Sequence, residues 1–121
     1  MTISETIAYL QQFSKSGKPV KDLSRMQSLL DELGNPQEQL RFVHIAGTNG
    51  KGSVVAYGSA AAIAAGIKTG QFTSPFVRHY QDRIQVNGTD ISDDRLCALC
   101  EQVTACHVSK ACSQFEVTLA I

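Results

Sequence analysis

Apolar residues recur at helical spacing through the first third of the chain. Ile3, Ile7 and Leu10 mark one face of a helix to about Phe13, and Thr2 with Glu5 has the spacing of a capping box. Residues 14–21 read as a polar loop containing Gly17 and Pro19. Ser24 with Gln27 predicts a second capping box. Met26, Leu29, Leu30 and Leu33 give the following helix an apolar stripe, which Gly34-Asn35-Pro36 stops. The period then changes. Phe42 to Ala46 is an apolar run broken only by His44, so residues 41–46 read as a buried parallel strand and His44 as a core histidine.

A second helix–strand pattern follows. An alanine-rich helix is expected from about Gly52 to Ala65, ending at Gly66. Its small face, Ala56, Gly58, Ala60, Ala61 and Ala64, suits close packing on a sheet. Residues 68–72 read as a second short strand, so 41–72 reads as a right-handed βαβ unit with parallel strands. Residues 83–86 alternate as a further strand, and Asn87-Gly88 is a tight-turn signal. Ser92-Asp93-Asp94 caps a helix expected to reach about Val108. Ser113-x-x-Glu116 opens a last helix, in which Val117, Leu119 and Ile121 are expected to lack partners and leave the chain sticky. The fold class is α/β: a P-loop-containing parallel sheet with flanking helices.

Composition narrows the function. The 121 residues suit one domain, and 43% hydrophobic with 18% charged residues is a globular balance. Lys+Arg and Asp+Glu are 11 each, which offers no basic excess for nucleic acid or an anionic membrane. The N-terminus has no signal-peptide pattern, and the longest apolar stretch is too short to span a bilayer, so a cytoplasmic protein is expected. Cys97-x-x-Cys100, with Cys106, Cys112 and His107 nearby, has no second C-x-x-C. The thiols are read as reduced and structural.

The candidate chemistry lies in the G-T-N-G-K-G-S loop at residues 47–53. Glycines let backbone N–H groups turn toward an anion, and a helix N-terminus adds unpaired donors. Lys51 adds a full charge, and Ser53 a hydroxyl for phosphate or magnesium. The standard P-loop differs, since it puts Ser or Thr directly after the lysine, where Gly52 stands. The alternative is an ordinary glycine-rich turn with a solvated lysine. Residues 73–81 lie at the carboxyl end of the second expected strand, where open α/β sheets bind ligands. Ser74, Pro75, Arg78 and His79 there face the side of the glycine loop.

The segment from His44 to Ser53 resembles the ATP loop of the folylpolyglutamate synthases, often bifunctional dihydrofolate synthases, of the Mur ligase superfamily. Gly34-Asn35-Pro36, Thr73-Ser74-Pro75-Phe76, Asp82-Arg83-Ile84 and Phe115-Glu116 extend the resemblance over nearly the whole chain. It implies that residues 1–121 are the N-terminal part of a Mur ligase-type ATP-binding domain, without the remainder of that domain or a C-terminal glutamate-binding domain. It implies ATP and Mg²⁺ as cofactors, and folate or dihydropteroate with L-glutamate as substrates, joined through an acyl phosphate. It also implies a monomer when full length. Thr48, Asn49, Gly50 and Lys51 would hold the ATP phosphates, with Lys51 the catalytic residue and Gly47, Gly52 and Ser53 completing the loop. Ser74 would ligate magnesium, or else be a turn residue before Pro75. Ser113, Gln114, Phe115 and Glu116 would contact the pterin, although Glu116 also suits a capping box. Arg78 and His79 depart from the usual family wording and carry no assignment. Arg83 matches a family arginine without a derivable role. On this basis the 121 residues alone are expected not to catalyse ligation. Two alternatives are another Mur-type amino-acid ligase acting on a peptidoglycan precursor and a nucleotide-binding module without ligase activity. Gly52-Ser53 speaks against the first.

Overall fold

The computed structural model describes residues 1–13 and 22–121, so the loop expected at 14–21 lies outside the described residues. The described residues form two compact units, 1–41 with 94–121, and 42–93.

The first unit is helical. α1 (Ile3–Gln12) begins at the expected capping box: the Glu5 amide donates to Thr2 Oγ1, and Glu5 Oε2 accepts from the Thr2 amide. α2 (Ser24–Glu32) is capped differently from expectation. Ser24 is already helical, and Asp22 Oδ1 accepts from both the amide and the hydroxyl of Ser24. A short aspartate outside the first turn does here what the serine was expected to do. Gly34 (φ 82°) and Asn35 (φ 54°) then end the helix in left-handed conformation, before a 3₁₀ turn at Pro36–Gln39.

α4 (Asp93–Thr104) stops short of Val108, and a 3₁₀ turn at His107–Ala111 follows. Glu32 holds that turn: Oε2 accepts from the His107 amide at 2.8 Å and Oε1 from Val108 at 3.2 Å. The last helix is α5 (Gln114–Ala120). α1 and α2 both pack against α5, and α2 also packs against the 107–111 turn. Leu10, Leu29, Leu96, Cys100, Val103, Cys112 and Val117 form the core of this unit. Val117 is fully buried, contrary to the expectation that it lacks partners, while Leu119 is exposed.

The second unit carries α3 (Lys51–Ala64) and a three-stranded sheet in the order β1 (Gly70–Phe72), β2 (Ile84–Val86), β3 (Thr89–Asp90). Both pairings are antiparallel, with Phe72 opposite Ile84 and Gln85 opposite Asp90. Asn87 (φ 51°) and Gly88 (φ 78°) make the predicted tight turn, with both central residues at positive φ. This corrects the expected parallel pairing. Residues 41–46 form no strand. Phe42 and Val43 are 70% and 90% exposed, and His44 is exposed rather than in a core. A parallel strand needs a hydrogen-bonded neighbour and cover on both faces, and no described residue pairs with this run. The small face of α3 is corrected for the same reason. Ala56, Gly58, Ala60, Ala61 and Ala64 are exposed, and Val55, Ser59, Ala62 and Ile63 are the partly covered positions. No helix among the described residues is long and apolar enough to cross a membrane.

Candidate phosphate site

The glycine loop leads directly into α3. Gly50, at φ 80°, is the residue before the helix, and a side chain there would be strained. No side chain caps this end. The amides of Lys51, Gly52 and Ser53 therefore meet no capping oxygen, and the helix dipole adds positive character where they gather. Lys51 Nζ turns back across the loop and donates to the carbonyls of Gly47, at 2.7 Å, and Thr48, at 3.2 Å. The ammonium thus sits over the carbonyls of the loop that leads into the helix. All seven residues, 47–53, are exposed.

Ser74 follows β1. The register places Gly70 opposite Val86, beside the Asn87-Gly88 turn. A Cβ on Gly88 would stand 3.8 Å from Ile63 near the C-terminal end of α3. β1 packs on α3. Thr73 and Ser74 follow β1 directly, in the same unit as Lys51.

Two residues that sequence reasoning left without a role hold this second loop. Asp82 is buried, and its Oδ2 accepts from the amides of Val77, Arg78 and His79 at 3.2, 2.8 and 3.3 Å. Burial pushes its carboxyl up, but the three N–H donors outweigh burial and leave it below the ordinary carboxylate range. Arg83 is buried beside it, with the guanidinium 5.5 Å from the Phe72 ring centroid and 5.2 Å from that of Tyr80. The recurrence of Asp three residues after His79 was the available signal for the first of these. Nothing local signals the second. His79 Nε2 lies 2.8 Å from Asp90 Oδ2 and ties the same loop to β3.

The residues around Lys51 and Ser74 fit a hard cation. Thr48, Ser53 and Ser74 offer hydroxyl oxygens, the donor class that magnesium takes. Ser74 is exposed, and its Oγ accepts one long contact, 3.4 Å, from Arg83. Among the described residues no cluster of three or more His, Cys, Asp or Glu forms a metal cage.

The segment Ser113–Glu116 belongs to the helical unit. Ser113 Oγ accepts from the Glu116 amide, and Glu116 Oε2 accepts from the Ser113 amide at 2.7 Å and from Arg25 Nη2 at 3.0 Å. Ser113 and Glu116 are buried, Gln114 is partly covered and Phe115 is half-exposed. The cysteines are free thiols. Burial pushes Cys100 up to about 11 and also raises Cys112, as expected of structural rather than reactive thiols.

No family model matches the chain. In sequence it is 46% identical over 81 residues to the dihydrofolate synthase/folylpolyglutamate synthase of Bacillus subtilis, covering 67% of this chain and 19% of that protein. It is 40% identical over 96 residues to the folylpolyglutamate synthase of Lacticaseibacillus casei, covering 79% of this chain and 22% of the relative. In structure it is similar to an FPGS–AMPPCP–folate complex, with a TM-score of 0.90, 33% identity, and coverage of 99% of this chain and 31% of that one. The Mycobacterium tuberculosis folylpolyglutamate synthase complexed with ADP and AMPPCP matches with a TM-score of 0.83 and 32% identity, over 98% of this chain and 27% of that one. The chain spans about a fifth to a third of the length of these relatives. Its α/β fold is that of the Mur ligase-type synthases, and by sequence and fold together the chain belongs to the folylpolyglutamate synthase/dihydrofolate synthase family.

Proposed function

We propose that this chain supplies the phosphate-binding part of an ATP-dependent ligase that adds L-glutamate to a folate through an acyl phosphate, and that residues 1–121 are the N-terminal part of its ATP-binding domain. The observation that carries this is the uncapped start of α3 with Lys51 folded over the loop before it. Relatives of the same fold have been crystallised with AMPPCP and with folate. In this proposal the amides of residues 48–51 face the phosphates. Lys51 exchanges its two carbonyl partners for phosphate oxygens and neutralises charge on the transferring group. Gly47, Gly52 and Ser53 keep the backbone close to the anion, and Ser74 offers its hydroxyl to magnesium. Magnesium, when bound, neutralises phosphate charge and orders the oxygens around it. The segment Ser113–Glu116 is assigned to the pterin. The Glu116 carboxylate already serves Arg25 and the helix cap, so the Phe115 ring and Gln114 are the groups with surface to offer. The cellular setting proposed is the cytoplasm, and the full-length protein is proposed to act as a monomer.

Lys51→Ala in the full-length protein is expected to abolish ligation while the melting temperature stays within about a degree, because exposed side chains contribute little to stability. ADP should form in the wild type only when a folate or pteroate and glutamate are both present. Unchanged ATP turnover in the variant would remove the phosphate-loop assignment. ADP release driven by a nucleotide-linked muramyl substrate would transfer the protein to the peptidoglycan ligases.

A further inference from the structure

Arg83 is a charged residue only 6% exposed, in a unit that buries little else. Such burial is costly unless the charge is met by hydrogen bonds and polarisable neighbours, and well-packed apolar residues commonly serve stability as well. The guanidinium is met by two rings and two oxygens. Phe72 closes β1 and Tyr80 opens the 3₁₀ turn at Tyr80–Arg83, so the two rings come from opposite ends of the 73–79 loop. Nε donates to the Thr73 carbonyl and Nη2 to Ser74 Oγ, both at 3.4 Å. The backbone repeats the hold, since the Thr73 amide donates to the Arg83 carbonyl at 2.9 Å. A planar fork can lie over both rings and still aim separate N–H groups at adjacent residues, a geometry that the compact ammonium of lysine does not reproduce.

We propose that Arg83 is a positioning residue that fixes the Ser74 hydroxyl, and through it sets how tightly the magnesium–nucleotide complex is held. The proposal rests on the assignment of Ser74 to magnesium made above. A donor on one lone pair of Oγ leaves the second lone pair and the proton directed away from the guanidinium. The contact is long, so it orients the hydroxyl without competing strongly with a cation. Asp82 supports the same loop from its other end by holding the amides of residues 77–79.

The test is calorimetric titration of AMPPCP into the full-length protein, with Mg²⁺ and with EDTA, for the wild type, Ser74→Ala, Arg83→Lys and Phe72→Leu. Arg83→Lys is expected to lose about tenfold of the Mg²⁺-dependent gain in affinity, the usual scale for a residue behind a metal ligand. Its affinity in EDTA should be unchanged. ADP formation by this variant should recover as Mg²⁺ is raised, which a general folding defect would not allow. Phe72→Leu removes one face of the stack and should show a smaller loss of the same kind. It decides the matter if Arg83→Lys does not fold. Equal losses in Mg²⁺ and EDTA would make Arg83 merely structural and overturn the proposal, as would an undiminished Mg²⁺ gain in Arg83→Lys when Ser74→Ala has lost it. An undiminished gain in Ser74→Ala would instead refute the magnesium assignment itself, and the role of Arg83 would fall with it.

Discussion

The two units of this chain bury their residues in opposite ways. Among the described residues the helical unit has an apolar core, and most of its buried polar groups are paired, Gln37 Oε1 excepted: Ser109 Oγ donates to the Cys106 carbonyl, and Glu116 meets Arg25 and a helix cap. In the unit of residues 42–93 the buried side chains are Tyr80, Asp82 and Arg83, while Phe42, Val43, Val54, Tyr57 and Ile67 are exposed. The first unit is built from amphipathic helices, each of which needs one covered face. The second contains an apolar run and an alanine-rich helix whose composition suits cover on more than one face, and its own residues supply little of it. What order it has comes from a polar clamp on one loop and a tight hairpin. The phosphate loop lies in the less covered unit, where backbone amides remain accessible to a ligand.

The sharpest way to break this contrast is to substitute one residue in each unit. Leu29→Ala removes a fully buried side chain between helices and is expected to cost about 2–5 kcal/mol. Ala60→Ser on the exposed face of α3 should stay within about 0.5 kcal/mol. Chemical denaturation of both variants measures the difference, and equal losses would mean that the alanine face is covered after all.

A smaller effect tests whether the second unit is held by its polar clamp. Asp82→Asn keeps the shape but replaces a charged acceptor by a neutral one, and should cost about 1–2 kcal/mol at neutral pH. The folded carboxyl lies below its ordinary value of 3.8, so its contribution is present above that value and is lost as pH falls through the folded value. Thermal melts of wild type and variant should therefore converge on acidification from pH 7. A gap that persists in acid would show that the carboxylate charge is not what holds residues 77–79.

What could be seen in the sequence follows the same division. The boxes at Thr2–Glu5 and Ser113–Glu116, the stop at Gly34-Asn35 and the turn at Asn87-Gly88 depend on residues within a few positions of one another, and all form as expected. The apolar stripe of α2 places Leu29 in the core and leaves Met26, Leu30 and Leu33 partly covered. Two local expectations failed, the capping box at Ser24–Gln27 and the run of α4 to Val108, but the larger failures concern burial by distant partners. Hydrophobicity made 41–46 a buried strand and His44 a core residue, but a run of apolar residues states a need for neighbours without providing them. The role of Arg83 was invisible because Phe72 is eleven residues away and meets it only through the β1–β2 register. The loop we propose as the phosphate site stands out in the sequence by its glycines and lysine. The return of Lys51 to the Gly47 carbonyl, by contrast, needed coordinates.

The Asn87-Gly88 hairpin also bears on how the protein ages. In an Asn-Gly pair the unhindered glycine amide can attack the asparagine side-chain carbonyl, expelling ammonia and closing a succinimide ring. Water reopens that ring at either carbonyl, giving aspartate or an isoaspartate whose main chain carries an extra methylene. Here Asn87 Oδ1 accepts from the Thr69 amide at 2.9 Å, and the Asn87 amide donates back to the Thr69 carbonyl at 2.8 Å. The folded turn thus restrains the group that would have to swing toward Gly88. Storage lifetime is therefore coupled to hairpin integrity: conditions that fray β2 and β3 should speed the appearance of an acidic species on isoelectric focusing. An isoaspartyl link at this site would in turn prevent the tight turn from closing again.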